Sequence, residues 1–252
     1  MTTSVREDRL LVHRELRARE LMDDPDCDPA ALARTYRHFR VINGLVSRWR
    51  RVYTSRLRPL LSPTAPTSLL DIGCGGGDVP RALARWAARE GLLLEITAID
   101  PDARAAAFAA AEPPVAGLTF ARTTSSELVR AGARFDIVTS NHLLHHLDPA
   151  ELRTMLADSE ALSRRLVVHN DIARSPVAYG AYLVGTLPWR RSRPDASFIH
   201  DDGLLSIRRS YRRGELAAAV PPGWRVVRQR PYRLLLVRRA AARPRDEAGG
   251  RA

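Results

Sequence analysis

The chain has 252 residues, 45% hydrophobic and 27% charged, with 15 Gly, 17 Pro and 2 Cys, so wholesale disorder, a collagen-like repeat and a disulfide framework are all excluded. Forty basic residues against 28 acidic ones give a formal charge of +12, yet all forty are arginine. A nucleic-acid or membrane patch mixes both cations, so the missing lysine reads as coding bias; an acidic carrier or coenzyme A stays in view as an electrostatic partner, and lysine chemistry is ruled out.

In chain order, residues 8–61 read as helix. Leu10, Leu11, Leu16 and Leu21 recur between charges, the Asp-Pro pairs of DDPDCDPA mark a turn, and Asp28 is placed to cap a helix opening at Pro29. Leu32, Tyr36, Phe39, Val41 and Ile42 extend the apolar stripe, and a third helix runs from Trp49 to Leu60 before the linker LSPTAPTS at 61–68. The N-terminus lacks the apolar core of a signal peptide. The most apolar stretch, Pro176 to Pro188, is shorter than the roughly 20 residues a membrane span needs, so a cytoplasmic protein without a membrane span is expected.

From Ser68 strands and helices alternate. SLLDIG (68–73), LLEITAID (93–100), LTFART (118–123), FDIVTSN (135–141) and RRLVVHND (164–171) read as strands, with helices at 79–91 and 149–163. This order argues for a parallel sheet covered on both faces. After Asp171 the rhythm breaks, with HDDG (200–203) and SIRRSY (206–211) reading as a turn and a solvated strand. A helix at 212–220 then precedes strands at 224–230 and 232–239, whose short connection at Pro231 forces an antiparallel pair. The predicted domains are a helical cap at 1–62, a core at 63–240 with a lid insertion at 172–212, and a disordered tail at 241–252.

The sharpest feature is DIGCGGGD at 71–78, set between a strand and a helix. Gly73, Gly75 and Gly77 let the backbone approach a ligand and offer amides at a helix N-terminus. A dinucleotide fingerprint needs glycine where Asp78 stands, and a P-loop needs lysine, so phosphates of NAD or ATP are excluded.

With Asp71 on the strand and Asp100 ending the next one in AIDP, residues 68–141 resemble the core of class I S-adenosylmethionine-dependent methyltransferases. The resemblance implies an α/β, Rossmann-like seven-stranded sheet with its last strand antiparallel. It also implies S-adenosylmethionine as cofactor, leaving S-adenosylhomocysteine. Asp71, Gly73, Cys74, Gly75 and Gly77 would hold its methionine and ribose portions. Asp100 would accept both ribose hydroxyls, a charge-assisted arrangement, and Pro101 would pack on the adenine. The family's acidic contact to the adenine amine is missing from ARTTSSE, so Thr124, Ser125 or a backbone group must serve.

The fourth strand runs into Asn141-His142-Leu143-Leu144-His145-His146. Asn141 matches the first position of the N-P-P-Y box of amine methyltransferases, but the stacking aromatic is gone, so methylation of a nucleobase amine is not expected. A phenol of pKa near 10 is about a thousandth ionised at pH 7. An imidazole at His142 or His145 would take that proton during attack, typically worth about 10²–10⁴-fold. Asn170 and Asp171 end the fifth strand as expected substrate contacts, with Asp171 also a reserve base. A catechol-type Mg²⁺ site would need a further Asp where Ser140-Asn141 stand, so no metal is expected. Tyr36 and Tyr179 belong to the aromatic cover that would form an acceptor pocket.

REL…DDPDCDP, SNHLLHHL and HDDGLLSIRRSY together resemble actinobacterial methyltransferases associated with type III polyketide synthases. The expectation is O-methylation of a phenolic hydroxyl on a small aromatic or polyketide acceptor. An acidic carrier protein or polyketide synthase is the expected partner, and nucleic acid is not. C-methylation of a quinol or polyketide ring and an RNA methyltransferase are the alternatives.

Overall fold

The computed structural model describes residues 11–190 and 196–240. Seven strands form one sheet of order β3-β2-β1-β4-β5-β7-β6. They are β1 Thr67–Ile72, β2 Leu94–Ile99, β3 Leu118–Ala121, β4 Phe135–Asn141, β5 Ser163–Ile172, β6 Arg225–Gln229 and β7 Arg233–Arg239. β1 to β5 pair in parallel, and β7 alone runs antiparallel, between β5 and β6. The connection Arg230-Pro231-Tyr232 is too short for a crossover, which dictates that reversal.

Nine helices pack around the sheet among the described residues: α1 Pro29–Val46, α2 Trp49–Val52, α3 Asp78–Arg89, α4 Ala103–Ala111, α5 Ser125–Arg130, α6 Pro149–Leu162, α7 Pro176–Gly185, α8 Ile199–Arg209 and α9 Arg213–Ala219. α2 continues through a wide turn at Tyr53–Leu57 and a tight one at Arg58–Leu60. Asp28 caps α1 by accepting from the Ala30 amide, with Pro29 at the first helical position, as the sequence predicts. No described helix is long and apolar enough to cross a membrane.

Successive strand residues point to opposite faces, so the doublet Leu69-Leu70 supplies both cores. Leu69, Ile137 and Val168 pack with Trp49, Tyr53, Leu57 and Leu83 on one face. Leu70, Val138 and Val167 pack with Leu144, Leu152, Leu156 and Leu216 on the other. Burying each such leucine contributes about 1.5–3 kcal/mol.

Two expectations are corrected here. Residues 11–28 are a strap of extended chain and turns, with one short 3₁₀ turn at Leu21–Asp23, not helix. The reason is tertiary. Its backbone groups find partners on the insertion: Glu15 N–H donates to the Arg208 carbonyl, and the Leu21 and Met22 amides donate to Asp202 at 2.7 and 2.9 Å. Those bonds replace the helical ones that the leucine spacing suggests. Residues 199–209, read as turn and strand, form α8, whose Ile199, His200, Asp202, Ser206 and Ile207 are buried. Gly203 belongs in that helix because Tyr182 packs against it, where an added Cβ would lie 2.1 Å from the phenolic oxygen. The tail predicted at 241–252 lies outside the described residues, as do the first ten residues and 191–195 of the insertion.

Candidate functional site

In this sheet the strand order reverses between β1 and β4, and ligands of such sheets bind in the crevice beyond the carboxyl ends there. β1 runs directly into the glycine loop and β4 into His142. The loop is tied down by amides of Gly73 and Cys74 donating to the Ile99 carbonyl at 2.9 and 3.0 Å. Gly77 has φ +77 and sits so close to Phe120 that a Cβ would meet the ring at 2.5 Å, so only glycine serves. Asp100 accepts from the Gly75 amide and the Asp102 amide, both at 2.9 Å, which locks the end of β2 to the loop. Burial pushes the Asp100 carboxyl up and those two amides pull it back. Asp71 is 1% exposed and accepts from the Thr139 hydroxyl at 2.8 Å; burial outweighs that bond and raises its carboxyl to about 7.

A cavity of about 400 Å³ lies above the loop. Asp71, Gly73, Cys74, Gly75, Asp100, Pro101, Asn141, His142, His145 and Tyr36 all line it. Its charge runs against that of the chain. Glu20, Asp23, Asp71, Asp78, Asp100, Asp102 and Glu151 line it, and no arginine among the described residues does. Such a lining selects for cationic ligands. Tyr36 and Phe39 of α1 cover the opening, with Tyr36 4.9 Å from Phe108, centroid to centroid.

The floor beneath β4 is organised by a residue that sequence reasoning missed. Arg233 is 3% exposed and donates through Nε to Asn170 Oδ1 at 3.0 Å and through Nη2 to Asn141 Oδ1 at 3.1 Å. Its Nη1 donates to His142 Nε2. Asn141 Oδ1 also accepts from Trp49 Nε1 at 2.9 Å. His142 adopts the left-handed conformation at φ 56, an uncommon state for a side-chain-bearing residue that aims the ring at Arg233. Burial, then the neighbouring guanidinium, hold the His142 imidazole well below its usual range. The lone pair on Nε2 is committed, so His142 is a neutral acceptor rather than a free base. An antiparallel last strand brings its first residue to the ligand edge of the sheet, and that was the available signal for Arg233.

Beside it lies a second cluster. His145 Nδ1 bonds Asp171 Oδ1 at 2.7 Å, and its backbone amide donates to Asp171 Oδ2 at 2.9 Å. On the opposite edge, His145 Nε2 faces Glu20 Oε1 at 3.5 Å and has no hydrogen-bond partner among the described residues. Burial opposes charge on this ring, but Asp171 and then Glu20 outweigh it and raise His145 to about 9. Glu20 is itself held down to about 2, where burial is overcome by His146 and His145. Glu20 sits in the strap, far from the fold's motifs, and only the structure reveals it.

Five predicted residues do not line the cavity, the first being Gly77, which packs against Phe120. Thr124 is exposed and caps α5, its hydroxyl accepting from the Glu127 amide while Glu127 accepts from the Thr124 amide; it does not line the cavity. Asn170 is spent inside, donating to the Ser47 carbonyl at 2.8 Å and accepting from Arg233. Asp171 lies behind His145, and Tyr179 is half-buried on α7; neither lines the cavity.

Residues 69–165 match the family model described as the methyltransferase domain. Over those residues the chain is similar to that family. The ubiquinone biosynthesis O-methyltransferase of Cereibacter sphaeroides is 33% identical over 148 residues, covering 55% of this chain and 57% of that protein. The mitochondrial protein of the same name from Arabidopsis thaliana is 30% identical over 125 residues, 49% of this chain and 38% of its own length. The chain therefore spans 57% and 38% of the length of these two curated relatives. In structure it resembles the plantazolicin methyltransferase BpumL in complex with SAH, with TM-score 0.56 at 15% identity, covering 89% of this chain and 81% of that one. The methyltransferase domain of bacterial CtHen1 gives TM-score 0.51 at 14% identity over 76% and 96%. These structural likenesses establish the fold of the domain.

Proposed function

We propose that the chain is an S-adenosylmethionine-dependent methyltransferase acting on a phenolic oxygen of a small aromatic or polyketide-type acceptor. The observation that carries the reading is the cavity at the strand reversal, lined among the described residues by the glycine loop and seven carboxylates but no arginine, in a chain of charge +12. The cofactor is a cation and fits that lining. When bound, S-adenosylmethionine supplies an electrophilic methyl group. The loop at Gly73 to Gly77 would hold its methionine and ribose portions, Asp71 would face its positive charge, and Asp100 would accept from the ribose hydroxyls through lone pairs its two amide bonds leave free. Pro101 would lie along the adenine, and Tyr36 and Phe39 would keep water out.

An acceptor hydroxyl is best received on the His145 side, because the His142 lone pair is taken by Arg233. There the Glu20–His145–His146 cluster, backed by Asp171, would polarise the oxygen in place of the single-imidazole base the sequence suggests. Oxygen as the methylated atom is supported by relatives that are O-methyltransferases by name. An acidic carrier is supported by a neighbouring cavity of about 470 Å³, lined by Arg40, Arg48, Arg50, Arg51 and Arg85, which shares Asn43, Asp78 and Val79 with the first.

The test is calorimetric titration with S-adenosylmethionine and S-adenosylhomocysteine, followed by a panel of phenols and phosphopantetheine-linked phenols with labelled cofactor. Micromolar binding of both cofactor forms and label on oxygen are expected; absence of cofactor binding would reject the reading.

A further inference from the structure

We propose that Glu20, His145 and His146 form a binding site for a divalent transition-metal ion at the acceptor end of the cavity. The ligand-type atoms of these three residues lie within 4.8 Å of one another. All three residues line the cavity. Glu20 Oε1 stands 3.5 Å from His145 Nε2, and Glu20 Oε2 stands 3.7 Å from His146 Nε2. Those separations exceed a good hydrogen bond. They match the edge of a coordination polyhedron: two ligands each about 2.1 Å from a tetrahedral ion are about 3.4 Å apart.

Two further observations point the same way. His145 is 1% exposed, and among the described residues its Nε2 has only the Glu20 carboxylate to face, 3.5 Å away and without hydrogen-bond geometry, so the two ligand atoms stand apart as if around a common centre. Both rings are also held from behind. His145 Nδ1 bonds Asp171 at 2.7 Å, and His146 Nδ1 faces Asp23 at 3.3 Å, so each imidazole presents Nε2 to Glu20 and Nδ1 to a carboxylate. A carboxylate behind a histidine fixes its tautomer and ring orientation and raises its basicity toward a metal. Ser206 donates to Glu20 Oε1 at 2.7 Å and orients that carboxylate as well.

Two imidazoles and one carboxylate suit Zn²⁺, Fe²⁺, Co²⁺ or Ni²⁺ rather than Mg²⁺, which takes oxygen ligands. Three protein ligands facing a cavity leave coordination positions open to an exogenous oxygen. The ligand class is thus an oxygen donor such as a phenolate. This deepens the methyl-transfer reading and rests on it for the acceptor, but the cation site itself does not. The sequence expectation was that no metal binds, argued from the ends of β4 and β5; this proposal departs from that expectation with a cluster that joins the strap to the segment after β4.

The experiment uses the full chain after chelator treatment, titrated with Co²⁺, Zn²⁺ and Mg²⁺ and followed by calorimetry and Co²⁺ absorption. One equivalent of Co²⁺ or Zn²⁺ should bind, with Mg²⁺ at least a hundredfold weaker. Glu20→Gln and His146→Gln should each weaken Co²⁺ by a hundredfold or more, and Asp171→Asn by about 10–100-fold. His146 is a quarter exposed, so its variant is the one least prone to unfold, and its thermal transition without metal is recorded alongside. No stoichiometric binding, or binding that survives both Glu20→Gln and His146→Gln, would overturn the proposal. S-adenosylmethionine titrated into the same metal-free proteins separates the two readings: cofactor binding without metal binding rejects only the cation site, and metal binding without cofactor binding rejects only the methyl-transfer reading.

Discussion

The two ends of the cavity are built on different principles. The cofactor end comes from one short stretch, since Asp71 to Asp78 and Asp100 to Asp102 lie on neighbouring parallel strands and the loops that leave them. The acceptor end is assembled from Glu20, His142, His145, Ser206 and Arg233, brought together by the strap, the insertion and the last strand. A site of the first kind is rigid because backbone amides hold it. The second depends on long-range side-chain contacts to the strap, and disturbing those contacts should leave the first end intact.

The largest effect should come from Asp100→Ala. Removing a carboxylate that holds two loop amides and two ribose hydroxyls should weaken cofactor binding by about 100–1,000-fold, since hydrogen bonds to a charged group are each worth about 1.5–3 kcal/mol. Calorimetry decides it, and a loss below fivefold would mean the ribose lies elsewhere. Gly77→Ala should come next. Its Cβ must pass 2.5 Å from Phe120 at φ +77, and the backbone alone costs about 1–2 kcal/mol. A total near 3 kcal/mol would lower the thermal midpoint by about 6–12 °C. Adding Phe120→Leu should recover the clash but not the backbone cost; recovery of the whole loss would show the conformation is unstrained.

Asp202→Ala tests the other end. It strips two strap amides, Leu21 and Met22, of their acceptor. Acceptor KM should rise by about 10–100-fold while S-adenosylmethionine affinity stays within threefold, at roughly 1–3 kcal/mol for the orphaned donors. Equal losses at both ends would abolish the distinction.

Asp71 gives a smaller effect with a definite sign. Its folded pKa of about 7 exceeds the ordinary 3.8 because of burial. The folded chain therefore binds a proton that the unfolded chain does not, and this group favours folding increasingly as pH falls from above 7 toward 4. Cofactor binding should respond oppositely. A cationic ligand favours the ionised carboxylate, so affinity should fall by up to about tenfold per unit below pH 7, about 1.4 kcal/mol. The slope should be shallower for S-adenosylhomocysteine, which lacks the sulfonium charge, and Asp71→Asn should flatten both.

The contrast also explains what could be read from the sequence. DIGCGGGD and Asp100 were legible because their geometry is fixed within two consecutive strand-loop units, and the reversal at β7 because its connection is too short for anything else. Glu20 was illegible because nothing local distinguishes RARELMDD from a helix; its role appears only when Asp202 and Ser206 of α8 supply partners. Arg233 was hidden similarly, as the first residue of an apolar strand with arginines at both ends, where one register position meets Asn141 and His142. His142 and His145 were singled out by position, but a position cannot tell a lone pair committed to Arg233 from a ring set between two carboxylates. The α8 segment misled because its glycine reads as a turn until Tyr182 is packed against it.

Thr124 is the sharpest small test, because sequence resemblance and geometry disagree about it. The resemblance makes it a candidate for the adenine amine beside Ser125 and a backbone group; the structure puts it in a reciprocal cap with Glu127, exposed and away from the cavity lining. Thr124→Ala should cost about 0.5–2 kcal/mol through loss of that cap and lower the thermal midpoint by a few degrees, without changing cofactor affinity. Thr124→Ser should restore the midpoint, since the hydroxyl does the capping. If Thr124→Ala instead weakens S-adenosylmethionine by tenfold at an unchanged midpoint, α5 must turn toward the adenine when cofactor binds. The cofactor end would then share the dependence on induced contacts assigned above to the acceptor end alone.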